Sequence, residues 1–275
     1  MFTLQELIEL KTDFFKGKRV KLVRHKDSRT EYKDILKDRE ALLEYQKEQG
    51  REVFKNTDYL ISFIGQESTK ALLFGVFKVN GIDKKERGVI KKGEKFFYNL
   101  TEVNIIDELI DRVVIDWGKS AISWYQWYDK QTKEVIEILP KGYLGEFKGL
   151  TNFVLDYDEL KKLISNPNAN KDWKSNLSSI NGIYMILDTK TGSQYIGSAY
   201  GIGGVWQRWS EYASSIHGNN KRLKELCKTD SNYKKNFQYT ILESLPSNIN
   251  KKEVIKIESL YKEKFGTRAF GLNEN

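Results

Sequence analysis

Cysteine, histidine and proline are scarce in this 275-residue chain, which contains one, two and three of them. The single cysteine, Cys227, excludes an intrachain disulfide and fits a reducing, cytoplasmic location. One cysteine and two histidines also argue against a zinc site of the usual Cys/His type. Any metal ion is therefore expected to be a hard cation held by oxygen atoms.

The chain also lacks a long hydrophobic run. We therefore expect no membrane span, and the amphipathic, acidic N-terminus does not have the pattern of a signal peptide. Hydrophobic residues still make up 39% and aromatic residues 13%, which suffices for a folded core. The formal net charge of +8, from 46 basic and 38 acidic residues, favours an anionic partner such as nucleic acid.

Residues 1–165 have the pattern of a mixed α+β domain. Charged segments with helical periodicity are followed by short apolar runs such as ALLFGVFKV and AISWYQWY, which are typical of strands. This density of short strands predicts a twisted, barrel-like sheet. The Asn- and Ser-rich stretch SNPNANKDWKS then predicts a linker over residues 166–178.

After this stretch, GIYMILD (182–188) and SQYIGSA (193–199) predict the two strands of a hairpin joined by the turn TKTG. With a four-residue loop, Tyr184 lies opposite Gly197 and Ile186 lies opposite Tyr195. The two tyrosines are then diagonal neighbours on one face, and Gly197 leaves room for a substrate backbone. Taken alone, they fit an ordinary hairpin with aromatic core residues better than a catalytic site.

Two later helices carry charged residues at informative positions. In VWQRWSEYAS, Arg208 and Tyr212 are four residues apart and lie one above the other. Arg208 could clamp a phosphate or be a solvated surface residue. In the helix predicted at 250–265, Glu258 lies at the edge of an apolar stripe, where a carboxylate needs a partner. A metal ion or an ion pair with Arg208 or Arg268 would satisfy it.

These elements together resemble the GIY-YIG endonuclease family. GIY at 182–184, YIG at 195–197, Arg208, Glu258 and Asn273 in the closing GLN follow one another in the family's order. The resemblance covers about residues 179–275. It implies a small α/β domain in which helices flank a short antiparallel sheet.

The resemblance also implies an activity and a set of site residues. The domain would cut DNA phosphodiesters with Mg²⁺ or Mn²⁺, and Glu258 would be its carboxylate ligand for the metal. Arg208 would hold the scissile phosphate, and Asn273 would shape the site. Tyr184 and Tyr195 would lie in the pocket, while Tyr212 stands where members carry His or Tyr. Gln207 stands where some members have a lysine, so no lysine can act as base there.

Domains of this family usually rely on an attached module to choose where they cut. Residues 1–165 are therefore the expected DNA-recognition domain, and they loosely resemble the PUA/EVE-like group, whose members read modified bases. Trp117, Trp124 and Trp127 would form a pocket that stacks on a flipped base; a sheet core explains them equally well. Arg24 and His25 are expected at the surface, where they would contact phosphates.

We therefore expect an α+β protein of two domains, with a strand-rich recognition domain at 1–165 and a nuclease domain at 179–275. It would hydrolyse double-stranded DNA in restriction or defence, directed at modified DNA. The alternatives are a repair or mobile-element nuclease of the same family and a catalytically silent DNA-binding protein. With one active site per chain, a double-strand cut requires a homodimer or two successive nicks.

Overall fold

The computed structural model describes residues 2–26, 35–36, 38–82, 95–118, 123–230 and 232–274. Contacts divide the chain into a first unit, Met1–Pro140, and a second unit, Lys141–Asn275. The linker expected at 166–178 is wrong, because Trp173 and Leu177 from this stretch are buried in the core of the second unit. The buried Asn170 amide binds the carbonyl of Gly142 at 2.9 Å and thereby ties the polar stretch to that unit.

The first unit is mixed α+β. Its helices include α1 (Leu4–Glu9) and α2 (Arg39–Lys47), and a 3₁₀ turn spans Asp107–Leu109. Its strands, within the described ranges, are β1 (Val20–His25), β2 (Glu48–Gln49), β3 (Tyr59–Gly65), β4 (Lys70–Ile82), β5 (Phe96–Glu102), β6 (Val113–Asp116), β7 (Tyr125–Trp127) and β8 (Val135–Ile138).

The strands of the first unit form one sheet in the order β2-β5-β4-β3-β1-β7. The long strand β4 pairs with β3 along one edge and with β6 and β5 along the other, and β8 extends β6. Leu22 and Ile61 belong to the core on one face, whereas Val23 and Leu60 belong to the core on the other. Burial of both faces explains why these strands have continuous apolar runs rather than alternating ones.

The second unit has a four-stranded antiparallel sheet between helices, as the sequence predicts. Its strands are β9 (Leu155–Asp156), β10 (Asn181–Asp188), β11 (Gln194–Ala199) and β12 (Phe237–Leu245), in the order β11-β10-β12-β9. Its helices are α3 (Tyr157–Ser165), α4 (Lys171–Ser178), α5 (Gly204–Ser215), α6 (Lys221–Thr229), α7 (Lys251–Lys264) and α8 (Thr267–Phe270). Within the described parts of both units, no helix combines the length and apolar character needed to cross a membrane.

The hairpin register is confirmed. Tyr184 lies opposite Gly197 and Ile186 opposite Tyr195, and the Asp188 amide donates to the Ser193 carbonyl at 2.9 Å. The space above Gly197, however, is not available to a substrate. The fully buried Tyr184 ring fills it, since a Cβ at Gly197 would lie 2.4 Å from the Tyr184 hydroxyl oxygen.

Helices α5 and α7 cover opposite faces of the sheet. Tyr184 packs with Trp209 and Tyr212 of α5, whereas Ile183 and Ile196 pack with Val254 of α7. Strand β11 is at the end of the strand order, and both helices contact it. Side chains from the two helices can therefore meet beside this edge strand.

The first prediction concerns the close contact between Gly197 and Tyr184. We expect Gly197→Ala to lower the free energy of unfolding by about 1–3 kcal/mol, because the added methyl group overpacks a buried ring. Urea unfolding followed by tryptophan fluorescence would measure the loss. Gly50→Ala is the control, since a Cβ there meets nothing within 4 Å. Equal loss in both variants would contradict the prediction.

Candidate active site

A pocket of about 380 Å³ lies beside strand β11 in the second unit. Strand β11, the loop that follows it and helices α5 and α7 supply its walls. The lining residues are Tyr195, Ser198, Ala199, Tyr200, Gly204, Gln207, Arg208, Glu211, Ile255 and Glu258. Three of the six residues expected in the nuclease site, Tyr195, Arg208 and Glu258, thus line one pocket.

Two buried tyrosines hold the guanidinium of Arg208. Nε donates to the Tyr184 hydroxyl at 3.1 Å, and Nη2 donates to the Tyr212 hydroxyl at 3.2 Å. Nη2 also donates to the carbonyl of Gly218 at 3.1 Å. The guanidinium carbon lies 4.9 Å from the centre of the Tyr212 ring, so the two residues are neighbours on the helix, as their four-residue spacing predicts. These contacts fix the plane of the guanidinium in the pocket wall.

Tyr184 and Tyr212 are poorly suited to accept a proton. Their hydroxyl oxygens are 3.0 Å apart, and both side chains are fully buried. Burial raises the pKa of Tyr184 and of Tyr212 above the ordinary value for tyrosine, although Arg208 opposes the rise. Both phenols therefore stay protonated at neutral pH. Their position indicates a different role, that of orienting Arg208.

Tyr195 is the tyrosine of the hairpin that reaches the pocket. It is half-buried, and its ring centre lies 6.4 Å from that of Tyr184 on the same face of the sheet. Of the two hairpin tyrosines, Tyr195 lines the pocket and Tyr184 lies behind it. A ligand in the pocket can thus contact Tyr195.

Glu258 reaches the pocket from α7. Its Oε2 accepts a hydrogen bond from the Ser198 hydroxyl, and its Oε1 lies 2.7 Å from the ammonium of Lys262. The ion pair expected with Arg208 or Arg268 is therefore made by Lys262 instead. Lys262 is one turn along the same helix, so its ammonium reaches the carboxylate without any change in the fold.

The donors around Glu258 fit a hard divalent cation. The carboxylate of Glu258 and the hydroxyls of Ser198 and Tyr195 offer oxygen atoms along the pocket. Mg²⁺ accepts such a set, because it needs few protein ligands and keeps several waters. Within the described residues, no three His, Cys, Asp or Glu side chains cluster as a metal site. Any metal here would rest mainly on Glu258.

Asn273 supports the pocket from outside it. Its buried side chain accepts from the Ile196 amide at 2.9 Å and donates to the Ile196 carbonyl at 2.8 Å. Asn273 therefore pairs with the outer edge of β11 directly beside Tyr195. That Asn273 shapes an active site stays a prediction.

The sequence-based expectations did not include the pocket residues Ser198 and Glu211, nor Lys262, which contacts Glu258. Ser198 directly follows the YIG tripeptide. Glu211 and Lys262 are three residues after Arg208 and four after Glu258, and each forms an ion pair with that residue. Helical spacing alone could have identified the last two.

The first unit has its own pocket, of about 420 Å³, lined by Arg24, His25, Lys26, Ile35, Leu36, Tyr45, Glu48, Gln49, Gly50 and Trp124. The expected grouping of three tryptophans is wrong. Trp117 is fully buried in the sheet core, and its indole N–H donates to the Ser123 carbonyl at 2.9 Å. Trp127 lies near Lys21 and lines a different pocket. Trp124 alone of the three reaches the pocket that contains Arg24 and His25.

The expected surface position of Arg24 and His25 is also wrong, since both are about 95% buried in strand β1. The Nε2 atom of His25 lies 2.7 Å from Oε1 of the buried Gln46, which also accepts from the Ser62 hydroxyl at 2.5 Å. An amide oxygen only accepts, so Nε2 carries the proton and Nδ1 is an acceptor. Burial lowers the pKa of His25, although the Gln46 bond opposes this, and the ring is neutral.

Of the comparisons with known proteins, the one with solved structures gives matches. No family model and no curated protein matches the chain. Two solved structures are similar to part of it. One is titled the catalytic domain of the homing endonuclease I-TevI (24% identity, TM-score 0.27), and the match covers 34% of this chain and 96% of that one. The other is a mutant of the catalytic domain of the intron endonuclease I-TevI (22% identity, TM-score 0.29), with 35% and 94% covered.

The second prediction concerns His25, one of only two histidines. We expect its pKa, measured by NMR titration and assigned with His25→Gln, to lie below the ordinary value of 6.5. As the pH falls, His25 in the unfolded chain takes up a proton at a higher pH than the buried His25 of the folded chain does. Stability should therefore fall as the pH drops below 6.5 towards the folded pKa, and less so in His25→Gln. A pKa at or above 6.5 would contradict the buried, neutral ring.

Proposed function

We propose that this protein is a metal-dependent endonuclease that hydrolyses phosphodiester bonds in double-stranded DNA. One observation carries the proposal: the guanidinium of Arg208 and the carboxylate of Glu258, from helices on opposite faces of the sheet, line one pocket with Tyr195. The ordered GIY, YIG, arginine, glutamate and asparagine motif adds independent support from the sequence.

Phosphodiester hydrolysis needs an attacking water and compensation of the charge that develops on the phosphate oxygens. Arg208 would bind those oxygens, because its plane is held by Tyr184 and Tyr212 and a guanidinium matches an oxyanion geometrically. The fixed orientation of the Arg208 guanidinium would increase the rate, since a preorganised donor does not have to reorient during the reaction.

Glu258 would hold Mg²⁺ or Mn²⁺ on the opposite side of the pocket. When bound, such an ion supplies Lewis acidity and makes water a better nucleophile. The Tyr195 hydroxyl would orient the attacking water, and Asn273 would keep Tyr195 in place through the edge of β11. Tyr184 and Tyr212 would act through Arg208, since neither phenol readily loses its proton.

The first unit would select the DNA. Its pocket combines the indole of Trp124 and the ring of Tyr45 with the neutral ring of His25. Aromatic rings stack on bases, and the Nδ1 acceptor suits the exocyclic amine of cytosine or adenine. We therefore infer that this unit reads an extruded base, in restriction or defence directed at modified DNA. A homodimer would supply the two active sites that a double-strand cut needs.

The third prediction tests the catalytic role of Glu258. The protein should cut plasmid DNA in the presence of Mg²⁺, as followed by gel electrophoresis. Glu258→Gln should reduce the rate by about 10²–10³-fold, the usual cost of removing one electrostatic element, and should still bind DNA. Glu263→Gln, an exposed residue of the same helix, is the matched control and should cut normally.

Two outcomes would contradict this function. Equal rates for the wild type and Glu258→Gln would remove Glu258 from the chemistry. A wild type that binds DNA but cuts none, with Mg²⁺ or Mn²⁺, would favour the catalytically silent DNA-binding alternative.

The fourth prediction tests target choice with unmodified, methylated, hydroxymethylated and glucosylated DNA. We expect unequal cutting across these substrates, and Tyr45→Ala or Trp124→Ala should reduce the preference. Trp127→Ala is the control, because Trp127 does not line this pocket and should leave the preference intact. Equal cutting of all four substrates would contradict the role in modified DNA and leave the repair or mobile-element alternatives.

A further inference from the structure

Both charged groups of the nuclease pocket are already paired with a residue of their own helix. Arg208 forms an ion pair with Glu211, three residues on, and Glu258 forms one with Lys262, four residues on. In each pair, the partner has the charge of the ligand that the site would bind. Glu211 is an anion where a phosphate would bind, and Lys262 is a cation where a metal ion would bind.

Arg208 has few donors left for a phosphate. A guanidinium has five N–H groups. Within the described part of the chain, Tyr184, Tyr212 and Gly218 take three of them, and Glu211 takes one on Nη1. With Glu211 in place, only one N–H group of Nη1 remains for phosphate oxygens, whereas both become available when Glu211 leaves. Glu211 is well placed to leave, because 45% of its side chain is exposed.

Both carboxylate oxygens of Glu258 also have partners already. The Ser198 hydroxyl binds one carboxylate oxygen and the Lys262 ammonium binds the other. Only 16% of the Glu258 side chain and 13% of the Lys262 side chain are exposed, so little water screens the pair. An ammonium this close to the carboxylate repels any divalent cation that approaches it. Lys262 must therefore move away before Glu258 can bind a divalent cation without this repulsion.

We propose that Glu211 and Lys262 are internal counter-ions of the pocket. A DNA phosphate displaces Glu211 from Arg208, and a metal ion displaces Lys262 from Glu258. This rests on the proposed function. Both residues are positioning residues, acting through Arg208 and Glu258. The flexible side chain of Lys262, once it leaves Glu258, can contact the DNA backbone. Metal and DNA then favour each other's binding, and by thermodynamic linkage each tightens the other by the same factor.

The test for Lys262 measures Mn²⁺ binding to the full chain by electron paramagnetic resonance, without DNA. Lys262→Met should bind Mn²⁺ about tenfold more tightly than the wild type, within the usual range for coupled sites. Lys262→Arg keeps the charge and should behave like the wild type. Lys256→Met removes an equal charge from the same helix on the side away from Glu258, and it should change the affinity less than about twofold.

The test for Glu211 measures binding of a short DNA duplex in EDTA by fluorescence anisotropy. Glu211→Gln should bind about tenfold more tightly, because Arg208 no longer has a competing anion. Glu225→Gln is the matched control, since it makes the same change in net charge at an exposed position of α6. In the wild type, DNA should tighten Mn²⁺ binding, and this effect should shrink in Lys262→Met.

Three results would overturn the proposal. The first is an equal Mn²⁺ affinity of Lys262→Met and Lys256→Met, and the second is an equal DNA affinity of Glu211→Gln and Glu225→Gln. The third is loss of Mn²⁺ binding in Glu211→Gln, because Glu211 would then be a metal ligand. Glu258→Gln separates this failure from that of the proposed function. If it binds Mn²⁺ as tightly as the wild type, the metal site itself is wrong, and the proposal fails with it.

Discussion

The arrangement of the pocket beside β11 depends on the buried contact between Arg208 and the hydroxyls of Tyr184 and Tyr212. Because the Arg208 side chain is three-quarters buried, its N–H groups need acceptors, and these two phenols supply them. In return, the cation stabilises two hydroxyls that have little contact with water. The packing of strand β10 against helix α5 thereby holds one cation in a fixed position at the pocket wall. Gly197 belongs to the same arrangement, because its missing side chain makes space for the Tyr184 ring.

The second requirement is an edge strand that both flanking helices can reach. Helix α5 brings Arg208 to one face of β11, and α7 brings Glu258 to the other, so the two opposite charges meet beside the strand rather than across the sheet. Such an edge would otherwise expose unpaired backbone groups. The Asn273 amide binds both the N–H and the C=O of Ile196, and the Leu272 amide binds the Gln194 carbonyl at 2.8 Å. The same contacts stabilise the edge and hold Tyr195.

The two pockets are built on different physical principles. The pocket beside β11 is a set of paired charges, in which Arg208 and Glu258 each have an opposite charge one turn away. The pocket of the first unit combines the rings of Tyr45, Trp124 and His25 with the charged side chains of Arg24, Lys26 and Glu48. Charge suits recognition of a phosphate backbone, which is the same at every nucleotide. Aromatic rings beside a hydrogen-bond acceptor suit recognition of a base, which differs between nucleotides.

Local patterns in the sequence are enough to predict the hairpin, its register and the helices that carry Arg208 and Glu258, because turn length sets strand pairing and helical spacing sets which side chains share a face. The remaining features were visible only in the folded structure. It showed that Lys262 rather than Arg208 or Arg268 pairs with Glu258, that Trp117 and His25 are buried, and that residues 166–178 belong to the second unit. Sequence patterns report how often a residue type is exposed, whereas burial and pairing depend on which distant segments pack against it.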